Sequence, residues 1–473
     1  MIAAREEAVA LVDRYPDDFH AHMFLGNVCR QMRDVGAALA SLEQAGRLRP
    51  EDESVAFNTG ACQYWTGELE KALAHFLRAA ELAPEESKRQ PSVLAGYCHH
   101  RLGRPKDAIP VFERVLQRDR YEVAALYGLM QALRDTGEFD AADAQANALE
   151  RILGDDSRAV RAMLGFFQAY DFHGWLQFDD KAQLKRHIDR YRQNVEAAAF
   201  ANVPETYVMP DDYAALEAAH RDAPGVWVVK PNMLHNGHGL RLVDGLDTVP
   251  REPGWLVQRY LADPFLFRGR KANFRIFLLV TAVDPPRVYL FHGGSARFAL
   301  EPYRSGPEYL DHLPMHIGNR GLFSDRADLV EETNRVMGNA DSVWGFRELI
   351  DYIAEAGFDT DALWSRLRRQ AEEVVGMFEA AGVFRNQVVE GCRHAYGPKI
   401  LGLDIFFDDA MRPWLLEIER GPTFNRMFNG ERDDNPVLPL IGKMVVFPLG
   451  DGDPAEFEYA RRGPFIRLLP AES

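Results

Sequence analysis

Hydrophobic and polar positions follow one rhythm in the first third of the chain and another in the rest. Over residues 19–152 small and apolar residues recur at helical spacing in blocks of roughly 34 positions. Ala38, Ala72, Ala108 and Ala142 are 34, 36 and 34 apart, and four residues after each stand Leu42, Phe76, Phe112 and Ala146. Seven after each come Ala45, Ala79, Val115 and Leu149, while Pro50 and Pro84 close two blocks and Arg120 stands in the third. Gly26, Gly60 and Gly96 supply a second small position upstream of the alanines. The pattern predicts helical hairpins: small residues let paired helices approach, the aromatic fills the gap between hairpins, and proline ends the second helix. Thr66-Gly67-Glu68-Leu69, Leu102-Gly103-Arg104-Pro105 and Thr136-Gly137-Glu138-Phe139 mark the turns, with Arg33 where the first turn would carry glycine. The reading is about three and a half hairpins, preceded by a shorter helix.

After Leu153-Gly154-Asp155-Asp156 this rhythm stops. A stretch rich in aromatics and helix formers (166–200) leads into short β-branched runs bounded by glycine and proline, at 226–229, 255–258, 275–283, 287–291, 401–407 and 413–418. Helical patterns such as 361–381 lie between them. Strands mixed with helices over some 300 residues predict an α+β domain rather than more repeats.

Composition narrows the function. The 473 residues carry 71 acidic and 55 basic side chains, a net charge of −16. That disfavours nucleic acid or an anionic membrane as a partner, since both need a positive surface. No run of about 20 apolar residues occurs, and residues 1–20 are charged throughout, so neither a membrane span nor a signal peptide is expected. Four cysteines without a Cys-x-x-Cys spacing read as small buried hydrophobes in a reducing, cytoplasmic setting. Only nine of the basic residues are lysines, so a lysine inside a motif carries weight.

Two lysines do fall in motifs. Val228-Val229-Lys230-Pro231 is an apolar strand ending in lysine, followed by Asn236-Gly237-His238-Gly239-Leu240. A strand-borne lysine beside a loop with Gly237 and Gly239 suits a phosphate. Gln258, Arg259, Tyr260 and Leu261 end another strand in a polar-aromatic stretch suited to an adenine edge. In Gly269-Arg270-Lys271-Ala272-Asn273-Phe274-Arg275, alternation puts Lys271, Asn273 and Arg275 on one strand face. Asp404 interrupts the apolar strand Gly402-Leu403-Asp404-Ile405, and Glu417 and Glu419 share a face of the next. Buried carboxylates need partners, and three on adjacent strands suit Mg²⁺.

The first block resembles the tetratricopeptide repeat, which implies a helical solenoid whose concave face takes a peptide or protein. The later motifs, in this order, resemble the tubulin tyrosine ligase-like family of ATP-grasp enzymes from about residue 203 to 447, with a lead-in from about 166. Pro204-Glu205-Thr206-Tyr207-Val208-Met209-Pro210-Asp211, Gly269-Arg270-Lys271, Asp284-Pro285, Arg287-Val288-Tyr289-Leu290, Arg297-Phe298-Ala299, Glu301-Pro302-Tyr303, Gly402-Leu403-Asp404 and Trp414-Leu415-Leu416-Glu417 carry the resemblance. It implies an all-α repeat solenoid over 1–153, a helical connector over 154–202 and an α+β ATP-grasp domain over 203–473.

The resemblance also implies roles. ATP would lie between two lobes, with Lys230 on its phosphates and Gln258, Arg259, Tyr260 and Leu261 around the adenine. Asp404, Glu417 and Glu419 would hold Mg²⁺, while Lys271, Arg275 and Arg297 would bind the carboxylate substrate and the charge developing on phosphate. The expected activity is joining a free amino acid to a peptide or protein acceptor through an acyl phosphate, with the repeats recruiting the acceptor. Three departures stand out: Asn273 replaces the usual Asp, Glu419 the usual Asn, and His312-Leu313-Pro314-Met315 a His-Leu-Thr-Asn pattern. The losses at Pro314 and Met315 motivate an alternative, a non-catalytic scaffold built on a degenerate ligase domain.

Overall fold

The computed structural model describes residues 2–32, 34–153, 157–170, 178, 180–232, 237–323, 325–338, 343–392, 397–420, 441–442, 444–445 and 465–469. Arg33, Asn236 and the last part of the expected ligase segment, to residue 447, lie wholly or largely outside them. Helix α1 (Ile2–Arg14) precedes four helix pairs: α2 (Phe19–Gln31) with α3 (Val35–Leu48), α4 (Glu53–Thr66) with α5 (Leu69–Leu82), α6 (Arg89–Arg101) with α7 (Pro105–Arg118), and α8 (Val123–Thr136) with α9 (Phe139–Leu153). The fourth hairpin is therefore complete, although it lacks the aromatic and the proline of the earlier copies.

The repeat signature has a direct steric origin. Phe112 is fully buried, and a Cβ added at Gly96 or Gly128 would come within 2.6 or 2.4 Å of its ring. The ring thus seats between two inner helices that can close on it only because both present hydrogen there. Gly67 and Gly137 end α4 and α8 in the left-handed conformation that glycine adopts without strain. Asp18, Asp34 and Asp52 cap α2, α3 and α4 by accepting from main-chain amides.

Helix α10 (Ser157–Ala169) packs onto the inner helices of these hairpins. Trp65 of α4 donates its Nε1 hydrogen to the Ala169 carbonyl at 3.0 Å. Tyr97 of α6 meets Phe166 and Phe167 at 5.5 and 5.7 Å between ring centres, and Tyr127 of α8 meets Phe167 at 5.2 Å. Part of the face that the repeat resemblance would open to a peptide is therefore covered by the chain itself.

Helix α11 (Lys181–Asn194) leads into two antiparallel sheets. The smaller joins β1 (Thr206–Val208), β2 (Trp227–Pro231), β3 (Arg241–Val243) and β4 (Trp255–Arg259) in the order β1-β4-β2-β3, with α12 (Tyr213–Asp222) against it. The larger contains β5 (Ala272–Val283), β6 (Pro286–Phe298), β8 (Lys399–Phe407), β9 (Pro413–Glu419) and β10 (Phe465–Leu469) in the order β10-β6-β5-β8-β9, with β7 (Val343–Gly345) also on β6. Helices α13 (Ala327–Met337), α14 (Phe346–Glu355) and α15 (Thr360–Ala380) complete the described fold. All six strand runs read from the sequence are strands. The short β1, β3 and β7, and β10, escaped that reading. No helix among the described residues is long and apolar enough to cross a membrane.

Both faces of the large sheet are buried. On one, Phe274, Ile276, Leu278, Leu403 and Ile405 pack with Leu367, Val374 and Phe378 of α15. On the other, Phe277, Leu279, Tyr289, Phe291, Ile400 and Phe465 join the same apolar cluster as Tyr97, Phe112, Tyr127 and Phe167. Repeats and sheet therefore share one continuous core, with α10 in its middle. The buried Lys399 ammonium donates to the Phe167 carbonyl at the same seam.

Phe112→Ala should lower stability by about 3–5 kcal/mol, the cost of emptying a well-packed aromatic site. Urea unfolding followed by circular dichroism would show it as a fall in midpoint. A change below 1 kcal/mol would contradict the packing described.

Candidate active site

The cleft between the small sheet and the large sheet collects side chains from β2, β4, β5, β6, β8 and β9. Strand alternation explains who points into it. Trp227 and Val229 of β2 are buried with Met209, Leu216 and Val257 on the far side, so Val228 and Lys230 turn toward the cleft. Lys230 donates to Gln258 Oε1 at 2.9 Å, and Gln258 Nε2 donates to Thr206 Oγ1 at 2.9 Å, which fixes the amide's orientation. Burial drives the Lys230 ammonium down to about 8, opposed by the negative charge of Glu417.

Arg259 behaves differently. Its guanidinium lies 3.9 Å above the Trp227 ring, pairs with Glu205 at 3.0 Å and donates to the Ala223 carbonyl at 2.8 Å. The residue borders the cleft, but its charge is committed on the other side of the small sheet. Tyr260 and Leu261 face inward: Lys271 donates to the Tyr260 hydroxyl at 2.8 Å and to the Leu261 carbonyl at 3.3 Å. The Tyr260, Phe406 and Tyr303 rings surround the Lys271 ammonium at 4.0, 4.9 and 5.1 Å. Burial pushes Lys271 down to about 7. Lys271 thus sits with the residues assigned to the adenine rather than with the arginines it was grouped with from sequence.

Those arginines stand on neighbouring strands. Arg275 is opposite Asp404 across β5–β8 and opposite Ser295 across β5–β6, while Arg297 is opposite Asn273. Arg275 grips Asp404 with two hydrogen bonds, Nε to Oδ1 at 2.5 Å and Nη2 to Oδ2 at 2.8 Å, and its Nη1 forms an ion pair with Glu419. Burial alone would lower the guanidinium's pKa, but Asp404 and Glu419 hold it above the usual range. Burial raises Glu419 to about 7, with Asp404 and Glu417 adding to the rise and Arg275 opposing it.

The β8–β9 register places Asp404 opposite Glu417 and Gly402 opposite Glu419, so the three carboxylates proposed for a metal share one wall. Glu419 Oε2 is buried outside hydrogen-bond geometry, although it lies against Arg275. The hard carboxylate oxygens of Asp404, Glu417 and Glu419 fit Mg²⁺, which takes one or two carboxylates together with phosphates and water. The three do not form a tight cage. Among the described residues, the group of three ligating side chains with atoms all within 4.8 Å is elsewhere, at His100, Asp135 and Cys392.

Gly237 lines the cleft with a left-handed φ of 76°, whereas Gly239, at 73°, is not among its lining residues. Several lining residues were missed from sequence. Lys181, the first residue of α11 behind its Asp180 cap, reaches Glu417 at 3.7 Å. The scarcity of lysine was the signal that could have found it. His316, Ile317, Gly318 and Asn319 also line the cleft. This corrects the sequence reading, in which His312-Leu313-Pro314-Met315 stood for the family's His-Leu-Thr-Asn: the histidine and asparagine that face the site lie four residues later. A Cβ at Gly318 would stand 3.1 Å from the Arg297 and Phe298 carbonyls, so the segment lies hard against β6. His316 Nε2 donates to the Tyr309 carbonyl at 2.9 Å, which leaves Nδ1 to accept from the Tyr260 hydroxyl at 2.7 Å. Burial lowers the His316 pKa, favouring this neutral form.

Two sheets closing on a cleft with inward lysines, arginines and strand-borne carboxylates define an ATP-grasp ligase fold, here joined to helical repeats. The chain belongs to the tubulin-tyrosine ligase family, whose model matches residues 162–434. Tetratricopeptide-repeat models match residues 30–87 and 100–165. Similar proteins include the mouse tubulin monoglutamylase TTLL4, 27% identical over 262 residues, covering 54% of this chain and 21% of that protein. The human tubulin polyglutamylase TTLL5 is 27% identical over 302 residues, 60% of this chain and 23% of its own. The mouse tubulin polyglutamylase TTLL7 is 30% identical over 235 residues, 47% and 25% respectively. The chain thus spans about a fifth to a quarter of the length of these relatives.

Lys271 makes stability depend on pH. Its folded pKa of about 7 lies below the ordinary value of 10.5, so the unfolded chain holds the extra proton between those values. Stability from this group is fully present above the unfolded pKa and is lost as pH falls toward 7. Wild type should therefore gain about 1 kcal/mol per pH unit relative to Lys271→Met between pH 7 and 9. Urea midpoints across that range would show it, and parallel profiles would refute it.

Proposed function

We propose that this protein is an ATP- and Mg²⁺-dependent carboxylate–amine ligase that adds an amino acid to a peptide or protein acceptor. The observation that carries the reading is the convergence, in one cleft, of Lys230, Gln258, Tyr260 and Lys271 with Arg275, Arg297, Asp404, Glu417 and Glu419. The first group suits a nucleotide: cations for phosphates, and an amide, a phenol and main-chain atoms for a base. The second suits the charge that moves during phosphoryl transfer.

In this reading a substrate carboxylate oxygen attacks the γ-phosphorus of ATP, the bond to the bridging oxygen breaks and ADP leaves, yielding an acyl phosphate. An amine then attacks the acyl carbon, phosphate departs and the amine loses a proton. Asp404, Glu417 and Glu419 would hold Mg²⁺, which would supply a counter-charge for the phosphates. Lys230 and Lys181 orient the phosphates. Arg297 binds the carboxylate bidentately, and Arg275 holds Asp404 and Glu419 in place. Glutamate is the amino acid to test first, because the named relatives are glutamylases. The repeats would recruit the acceptor over surface that α10 leaves uncovered. The scaffold alternative loses its main motive, since His316 and Asn319, not Pro314 and Met315, face the cleft.

ADP release by the full chain should require an amino acid and a carboxylate-bearing peptide, and Glu417→Ala should abolish it. Nucleotide binding without turnover, across all amino acids and acceptors tried, would sink the ligase reading in favour of the scaffold. Binding should also separate two neighbouring cations. Lys230→Ala should weaken ATP affinity about tenfold or more, the value of a lost charged hydrogen bond. Arg259→Ala should change it less than about twofold, because its guanidinium faces away. Calorimetric titration decides, and equal losses in both variants would contradict this placement.

A further inference from the structure

The repeats and the ligase meet through polar groups as well as apolar ones. The turn after α6 approaches the ligase segment before β8. Arg101 donates to Gln387 Oε1 at 3.3 Å, and Gly103 lies close to the Glu390 carbonyl. Beside them, His100 of α6, Asp135 of α8 and Cys392 of the ligase segment each bring one potential ligand atom within 4.8 Å of the others. The His100 and Asp135 side chains are 1% and 3% exposed, and Cys392 is 2% exposed. His100 Nε2 and Asp135 Oδ2 are 2.7 Å apart. None of these groups belongs to the cleft.

We propose that His100, Asp135 and Cys392 bind a zinc ion that clips the repeat array to the ligase. An imidazole nitrogen, a thiol and a carboxylate form a donor set for zinc, whereas Mg²⁺ and Ca²⁺ take oxygen alone. Tetrahedral zinc with bonds of ~2.0–2.3 Å spaces its donors about 3.3–3.6 Å apart. The His100–Asp135 pair need open by less than ~1 Å to admit the ion on that geometry. Three protein ligands leave one position for water.

Burial and the Asp135 charge together push the Cys392 thiol up to about 11, so in the metal-free chain it is a neutral thiol. A divalent cation reverses that preference: the thiol releases its proton to solvent, and no oxidant is needed. His100 exchanges its hydrogen bond to Asp135 for a bond to zinc and keeps one ring proton on the other nitrogen. The site would tie two repeat helices, α6 and α8, to the ligase segment.

The test uses the untagged full chain, loaded with Zn²⁺ or Co²⁺ and dialysed. About one equivalent of zinc should remain by elemental mass spectrometry, falling toward zero in Cys392→Ser and His100→Ala. The Co²⁺ form should show the near-ultraviolet thiolate-to-cobalt charge-transfer band. That band should vanish in Cys392→Ser and persist in Cys98→Ser. A wild type that retains no zinc, or a cobalt form without the band, overturns the proposal without reliance on any variant. So does Cys392→Ser that keeps wild-type stoichiometry and the band. Such outcomes leave a buried His–Asp pair with an apolar cysteine beside it.

Discussion

The site depends on one buried guanidinium. Arg275 binds both oxygens of Asp404 and also pairs with Glu419, in a strand pair whose other side chains are mostly apolar. Removing one partner from such a cluster leaves an uncompensated buried charge, which is far costlier than losing an exposed ion pair. The arrangement thus holds β5, β8 and β9 in a fixed register where the carboxylates must stand. It also offsets part of the negative charge of the acidic wall. Burial is the main reason that the Glu419 pKa is raised, with Asp404 and Glu417 adding to the rise and Arg275 opposing it.

A second constraint is the continuous core. The large sheet is covered by α15 on one face and by the repeats through α10 on the other. The repeats are therefore a structural layer of the ligase, not an appendage on a flexible linker. Whatever surface they present to a partner is held in a set orientation to the cleft. The inner-helix aromatics Trp65, Tyr97 and Tyr127 serve that attachment and are covered by α10.

Much of this was legible in the chain. The 34-residue period and the alternation in strands such as 401–407 follow from packing rules that act locally, and they located the hairpins and the main strands, while the motifs named about half of the residues that line the cleft. What stayed hidden depended on distant partners. Arg259 follows Gln258, and sequence cannot say that Trp227 and Glu205 draw its guanidinium to the opposite face. His312 and His316 offer similar local patterns, and only the packing of Gly318 against β6 selects the second. Lys271 alternates correctly with Arg275, yet the Tyr260 and Leu261 oxygens draw it toward the other end of the cleft. Helix α10 reads as a generic amphipathic lead-in until the aromatic side chains of three repeats are found around it.

The place of α10 in that core has a consequence for how the protein comes into being. A ribosome releases the repeats first, with Trp65, Tyr97 and Tyr127 facing outward and nothing yet made to cover them. Phe166 and Phe167 follow only after the fourth hairpin, and the sheet that seals the other side follows later still. The repeats can form early because their contacts are local, whereas the sheet must wait for strands far apart in the chain. A half-made chain would thus leave this apolar inner surface uncovered until helix α10 packs onto it.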